Sequence, residues 1–205
     1  KLAARPPAAP AASSSASGSG GSTVDASALR VGLAYDVGGR GDASFNDAAA
    51  AGLDKAKSDL GVKDTRETTA AAGESEDAKQ SRLRQLAQDG YNPIIAVGFA
   101  YADSLAAIAP QFPNTKFAIV DGETTAPNAT ALVFAEEQGS FLAGVAAAYK
   151  SKTCHVGFLG GVDTPLIHKF EAGFAQGAKA AAPDIVIERD YITPAGDITG
   201  FQDPA

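Results

Sequence analysis

The strongest constraint in this sequence is an alternation that runs from residue 29 to about residue 191. Strand-type segments, LRVGLAY (29–35), VKDTRETT (62–69), PIIAVGF (93–99), KFAIVDG (116–122), ATALVFA (129–135), HVGFLGG (155–161) and DIVIERDY (184–191), are mostly separated by stretches with helix spacing and caps. Parallel strands need crossover connections, and a helix between strands supplies one. The spacing therefore predicts doubly wound α/β structure, with a mostly parallel sheet covered on both faces.

The helices carry their own signals. FNDAAAAGLDKAKSDL (45–60) follows a capping Ser44 or Asp42, and its Phe45, Ala49, Gly52, Leu53, Ala56 and Leu60 are expected to lie along one face. SEDAKQSRLRQLAQDG (75–90) has Ser75 ahead of acidic residues and Gly90 at its end. ADSLAAIAPQF (102–112), EEQGSFLAGVAAAYKSK (136–152) and PLIHKFEAGFAQGAKAAA (165–182) complete the set. Residues 1–28, rich in Ala, Pro, Ser and Gly, lack apolar periodicity and are expected to form a flexible leader.

Charge and motifs exclude several classes of function. A net charge of -7 without a basic cluster argues against nucleic acid and anionic membrane surfaces as partners. No apolar run is long enough to span a bilayer. The single cysteine, Cys154, excludes an internal disulfide and is expected to be a small buried residue, while His168 is expected at the surface. His155 and His168 have no partner at metal-ligand spacing, so no metal and no cofactor is expected. There is no phosphate-binding loop of the G-x-x-x-x-G-K-[ST] type and no G-x-S-x-G elbow, and catalytic residues are not expected. Gly39, Gly41 and Ser44 approach a dinucleotide fingerprint, which keeps an NAD(P)-binding enzyme open as an alternative. Asp36 and Asp42 would, however, place negative charge beside a pyrophosphate.

In open parallel sheets ligands meet the loops beyond the strand carboxyl ends. The loop after the first strand offers Asp36 as an acceptor, Phe45 as a flat stacking surface and Asn46 as a paired donor and acceptor, a combination suited to a planar heterocycle. Asp121, ending KFAIVDG, is either a turn residue or a further polar group facing the same cleft.

Five ordered blocks add a resemblance. DASFNDAAAAGL (42–53), GYNPIIAVGFAYADSL (90–105), FPNTKFAIVDG (112–122), EEQGSFLAGVAAAYKSKTCHVGFLGG (136–161) and FEAGFAQGAKAAAPDIVIERDYI (170–192) resemble the basic membrane protein family of nucleoside-binding lipoproteins of ABC transport systems. The resemblance implies a type I periplasmic-binding-protein fold of two Rossmann-like lobes, here residues 29–134 and a partial second lobe at 135–205. It implies a non-catalytic receptor that captures a nucleoside, with a purine expected, for a permease. The receptor would lie outside the cytoplasm, on a lipid anchor that this sequence does not display. On the matching motifs Phe45 would stack on the base, Asn46 and Asp121 would hydrogen-bond it, Asp36 would add a polar contact, and Phe201 would close the stack from the second lobe. Relatives continue past FQDPA, so an incomplete second sheet with an exposed edge is expected. A sugar or signal-molecule receptor on the same fold is the nearest alternative.

Overall fold

A computed structural model describes residues 25–201. The expected leader falls outside the described residues up to residue 24; Ala26–Ala28 form a 3-10 turn.

The first layer is a five-stranded parallel sheet in the order β2-β1-β3-β4-β5, formed by β1 (Arg30–Tyr35), β2 (Asp64–Thr69), β3 (Ile94–Val97), β4 (Phe117–Val120) and β5 (Ala129–Leu132). Strand alternation sends successive side chains to opposite faces. Val31, Leu33 and Tyr35 of β1, with Val97 of β3, meet Ala50 and Leu53 of α1 (Phe45–Leu60). Ala34, Ile94, Ala96, Phe117 and Ile119 face α2 (Glu76–Gln88) and α3 (Ala102–Ile108), where Leu83, Leu86, Leu105 and Ile108 complete the larger core. Both faces are thus covered, as the run of apolar residues in β1 and β3 requires.

Two boundaries differ from the sequence reading by more than two residues. The strand expected over 129–135 ends at Leu132, because the amide of Phe134 turns to the Glu136 carboxylate. The helix expected over 102–112 stops at Ile108, and Ala109–Gln111 continue as a 3-10 turn around Pro110.

The second layer contains α4 (Glu136–Lys150), β6 (His155–Val162), α5 (Pro165–Ala181) and β7 (Val186–Thr193), with β6 and β7 paired in parallel. Among the described residues this sheet has only these two strands, and Leu159, Val186 and Ile192 remain exposed on it. Cys154 corrects the expectation of burial: it is exposed, at φ 57° in the turn that starts β6. His168 lies at the surface as expected, with its Nε2 2.7 Å from Asp163 Oδ1.

A buried polar network ties the strand ends of the first sheet together. Tyr101, fully buried, donates its hydroxyl hydrogen to the Tyr35 carbonyl at 3.0 Å and accepts from Arg82 at 2.9 Å; Arg82 in turn pairs with Glu74 at 2.6 Å. Burial pushes the Tyr101 hydroxyl up to about 12, so it keeps its proton and remains a donor at neutral pH. Tyr101→Phe should remove one of the two donors to the Tyr35 carbonyl, which keeps the Ala70 amide, and leave one Arg82 N–H without its partner. The expected cost is about 1–2 kcal/mol, read as a lower urea midpoint with unchanged slope.

Candidate functional site

The loop from β1 to α1 is built around Asn46. This side chain is 2% exposed; its Oδ1 accepts from the Asp36 amide at 3.0 Å, and its Nδ2 donates to the carbonyls of Asp36 (3.3 Å) and Val37 (3.2 Å). Asp42 supplies the helix cap, accepting from the amides of Ser44, Asn46 and Asp47 at 2.8, 3.1 and 3.0 Å, while the Ser44 side chain makes no capping bond. Desolvation raises the Asp42 carboxyl, but these amide bonds outweigh it and hold the group below its ordinary value.

Turning Asn46 inward sets the phase of α1. The buried positions are Asn46, Ala50 and Leu53, while Phe45, Gly52 and Leu60 of the face read from the sequence are exposed. Phe45 is 46% exposed and meets Phe134 edge-on, with ring centroids 5.8 Å apart. Phe134, 52% exposed, comes from the segment joining β5 to α4 and belongs to no expected site residue set.

Asp36 sits at the carboxyl end of β1, where its Oδ1 accepts from the Val37 amide at 2.8 Å. Its other oxygen occupies space left by Gly98, at the end of β3: a Cβ there would lie 2.7 Å from Asp36 Oδ2, and the φ of +98° independently favours glycine. The Gly98 amide donates to the Val120 carbonyl at 2.9 Å, which brings the end of β4 alongside. Asp121 follows directly, at φ 61°, with its amide bonded to the Leu132 carbonyl at 2.9 Å. Burial and the nearby Glu136 charge raise the Asp121 carboxyl, partly opposed by Lys169.

Asp36, Phe45, Asn46 and Asp121 therefore gather beyond the carboxyl ends of β1 and β4, with Gly98 of the β3 end between them. Phe201 is 50% exposed and packs on Phe99, centroid to centroid 5.6 Å, rather than on Phe45; its ring also lies over Gly161 of β6. A cavity of about 500 Å³ opens beside this cluster, lined among others by Phe99, Gly122, Glu123, Val133, Thr164 and Lys169. None of the five expected site residues lines it, although Gly122 and Val133 are chain neighbours of Asp121 and Phe134. Lys169 and Glu123 span it as an exposed ion pair at 3.0 Å.

The raised Asp121 carboxyl has a stability consequence with a definite sign. A folded-state value above the ordinary one means the contribution is intact in acid and is lost as pH rises through the raised value. Asp121→Asn tolerates the left-handed backbone and removes the charge. It should match the parent chain in acid and melt about 1–2 °C higher at pH 7, a small effect because solvent screens a half-exposed carboxylate. Thermal melts of both proteins across this pH range check it.

Residues 29–199 match the family described as ABC transporter substrate-binding protein PnrA-like. An uncharacterised lipoprotein of Pyrococcus furiosus is 35% identical over 166 residues, covering 78% of this chain and 41% of the relative. The ABC transporter nucleoside-binding protein BmpA of Lactococcus lactis is 32% identical over 164 residues, covering 80% of this chain and 47% of the relative. The chain thus spans less than half the length of these two relatives. Among solved structures, an ABC transporter solute-binding protein from Aeropyrum pernix superposes with a TM-score of 0.67 at 30% identity, over 84% of this chain and 50% of that one. A solute-binding protein from Conexibacter woesei, at 24% identity and a TM-score of 0.53, shares the fold. The architecture is that of type I periplasmic-binding proteins, and fold and family alike match non-catalytic solute-binding proteins. The chain belongs to the PnrA-like, or basic membrane protein, family of ABC transporter substrate-binding proteins.

Proposed function

We propose that this chain forms the base-binding part of an extracytoplasmic, membrane-anchored solute-binding protein that captures a nucleoside and presents it to an ABC permease. The observation that carries this reading is the exposed Phe45 ring, edge-on to Phe134 beyond the end of β5 and next in the chain to Asn46, which bonds the Asp36 backbone at the end of β1. A purine base offers a π-face for the ring and polar edges for the carboxylates. Asn46, its amide spent on Asp36 and Val37, serves by holding the loop that presents Phe45. The lipoprotein and nucleoside-binding names of relatives support the compartment and the ligand class. Two lobes are proposed, residues 29–134 as the base platform and 135–205 as part of the opposing lobe, with the Lys169 to Glu123 pair crossing the cavity and Phe201 packed on Phe99. Residues 202–205 of the second lobe lie outside the described residues.

Mass spectrometry of small molecules released from protein purified without refolding tests the ligand class, followed by calorimetry with guanosine, inosine, adenosine, ribose and NAD. Nucleoside binding, with ribose and NAD silent, is the expected result. Binding of a sugar, or of NAD alone, would replace the nucleoside reading.

A further inference from the structure

Beside Phe134 lies a polar group that nothing in the fold satisfies, and Thr164 Oγ1, in the wall of the adjoining cavity, is another. Glu136 is 7% exposed; its Oε1 accepts from the Phe134 amide at 3.3 Å, but its Oε2 is buried without a hydrogen-bond partner. A buried carboxylate oxygen lacking a donor is costly, since desolvation removes its water and nothing replaces it. Its position in the first turn of the 15-residue α4 offsets part of that cost through the helix dipole, yet supplies no bond to Oε2.

Its surroundings define what the missing donor would be. Glu136 stands near enough to Asp121 for its charge to act on that carboxyl, and the cation that also acts there, Lys169, is engaged by Glu123. The backbone links the two: the Asp121 amide bonds the Leu132 carbonyl at the end of β5, two residues on the Phe134 amide bonds Glu136 Oε1, and the Phe134 ring meets Phe45 edge-on. A flat group lying against those rings with N–H bonds on its edge would meet both needs at once.

We propose that Glu136 is a ligand-binding residue which, with Asp121, accepts hydrogen bonds from the N–H-bearing edge of a purine base and so selects bases that carry such donors. The inference rests on the nucleoside reading and adds a specificity element to it. The unpartnered oxygen is a cost within the fold that a donor on the correct ligand would offset.

Glu136→Gln keeps the shape and the Oε1 contact to Phe134 while turning one acceptor into a donor. Calorimetry on the full chain would compare guanosine and inosine, which carry N1–H, with purine riboside, which lacks both N1–H and an exocyclic amino group. The variant should lose tenfold or more in affinity for guanosine and inosine and stay within twofold for purine riboside. Without ligand it should melt at or above the parent temperature, because an uncompensated charge has gone. Equal losses for all three ribosides, no loss for any, or a melting point several degrees lower would each overturn the proposal in favour of a water-satisfied or merely structural Glu136. Failure of the parent chain to bind any of the ribosides is a distinct result: it removes the nucleoside reading, and this inference with it.

Discussion

Replacing Gly177 by alanine is expected to destabilise the second half of the chain by about 2–3 kcal/mol, although alanine is the better helix former. The reason is the contact between α4 and α5. A Cβ at Gly177 would collide with the backbone carbonyl of Phe141, one at Gly173 with that of Glu137, and one at Gly144 with that of Phe174. These three glycines let the helix backbones touch, and backbone cannot rotate aside as a flexible side chain can. The propensity gain of about 1 kcal/mol is therefore outweighed by the separation the helices must undergo. Gly139 is the matched control on α4: no atom lies within 4 Å of its missing Cβ, so Gly139→Ala should raise stability by up to about 1 kcal/mol. Urea unfolding followed by circular dichroism distinguishes the two, and a Gly177→Ala chain as stable as the parent would show that α4 and α5 do not pack this way in solution.

Strands β1, β3 and β4 were legible because both of their faces are buried, which forces an unbroken apolar run that few other environments produce. The rotation of α1 was not. Phe45 is the larger apolar residue and Asn46 the polar one, so periodicity alone turns Phe45 inward; the three hydrogen bonds that pull Asn46 inside depend on the path of a loop. The spacing of Gly173 and Gly177, four apart on one helix, was a readable sign of close helix contact.

Phe134 and Glu136 illustrate the opposite limit. ATALVFA has the composition of a strand to its end, and Glu136 looks like an ordinary acidic first-turn residue favoured by the helix dipole. Their position close to Phe45 comes from the end of β5 at Leu132 and the sharp entry into α4, where one Glu136 carboxylate oxygen takes the Phe134 amide and the other has no donor. Asp36 and Asp121, by contrast, announced themselves by sitting immediately after strands, where the doubly wound topology collects polar groups whatever the rest of the sequence does.

Phe45→Ala should weaken nucleoside binding about 5- to 140-fold while changing stability little, because the ring is half exposed and adds only part of its area to the core. The magnitude follows from base-aromatic stacking, worth about 1–3 kcal/mol per base, with each 1.4 kcal/mol equal to a factor of ten in affinity. Phe45→Leu separates the two components of the contact. It preserves most of the apolar area and loses the π-face, so its affinity should fall between those of the parent chain and the alanine variant. The neighbouring ring makes the test sharper still. Phe134 meets Phe45 edge-on at 5.8 Å, an arrangement favourable in its own right, so a base that stacks on Phe45 must either share that geometry or displace the second ring. A Phe45→Ala chain that bound nucleoside with undiminished affinity would place the base elsewhere, with the 500 Å³ cavity beside Phe99 as the next place to look.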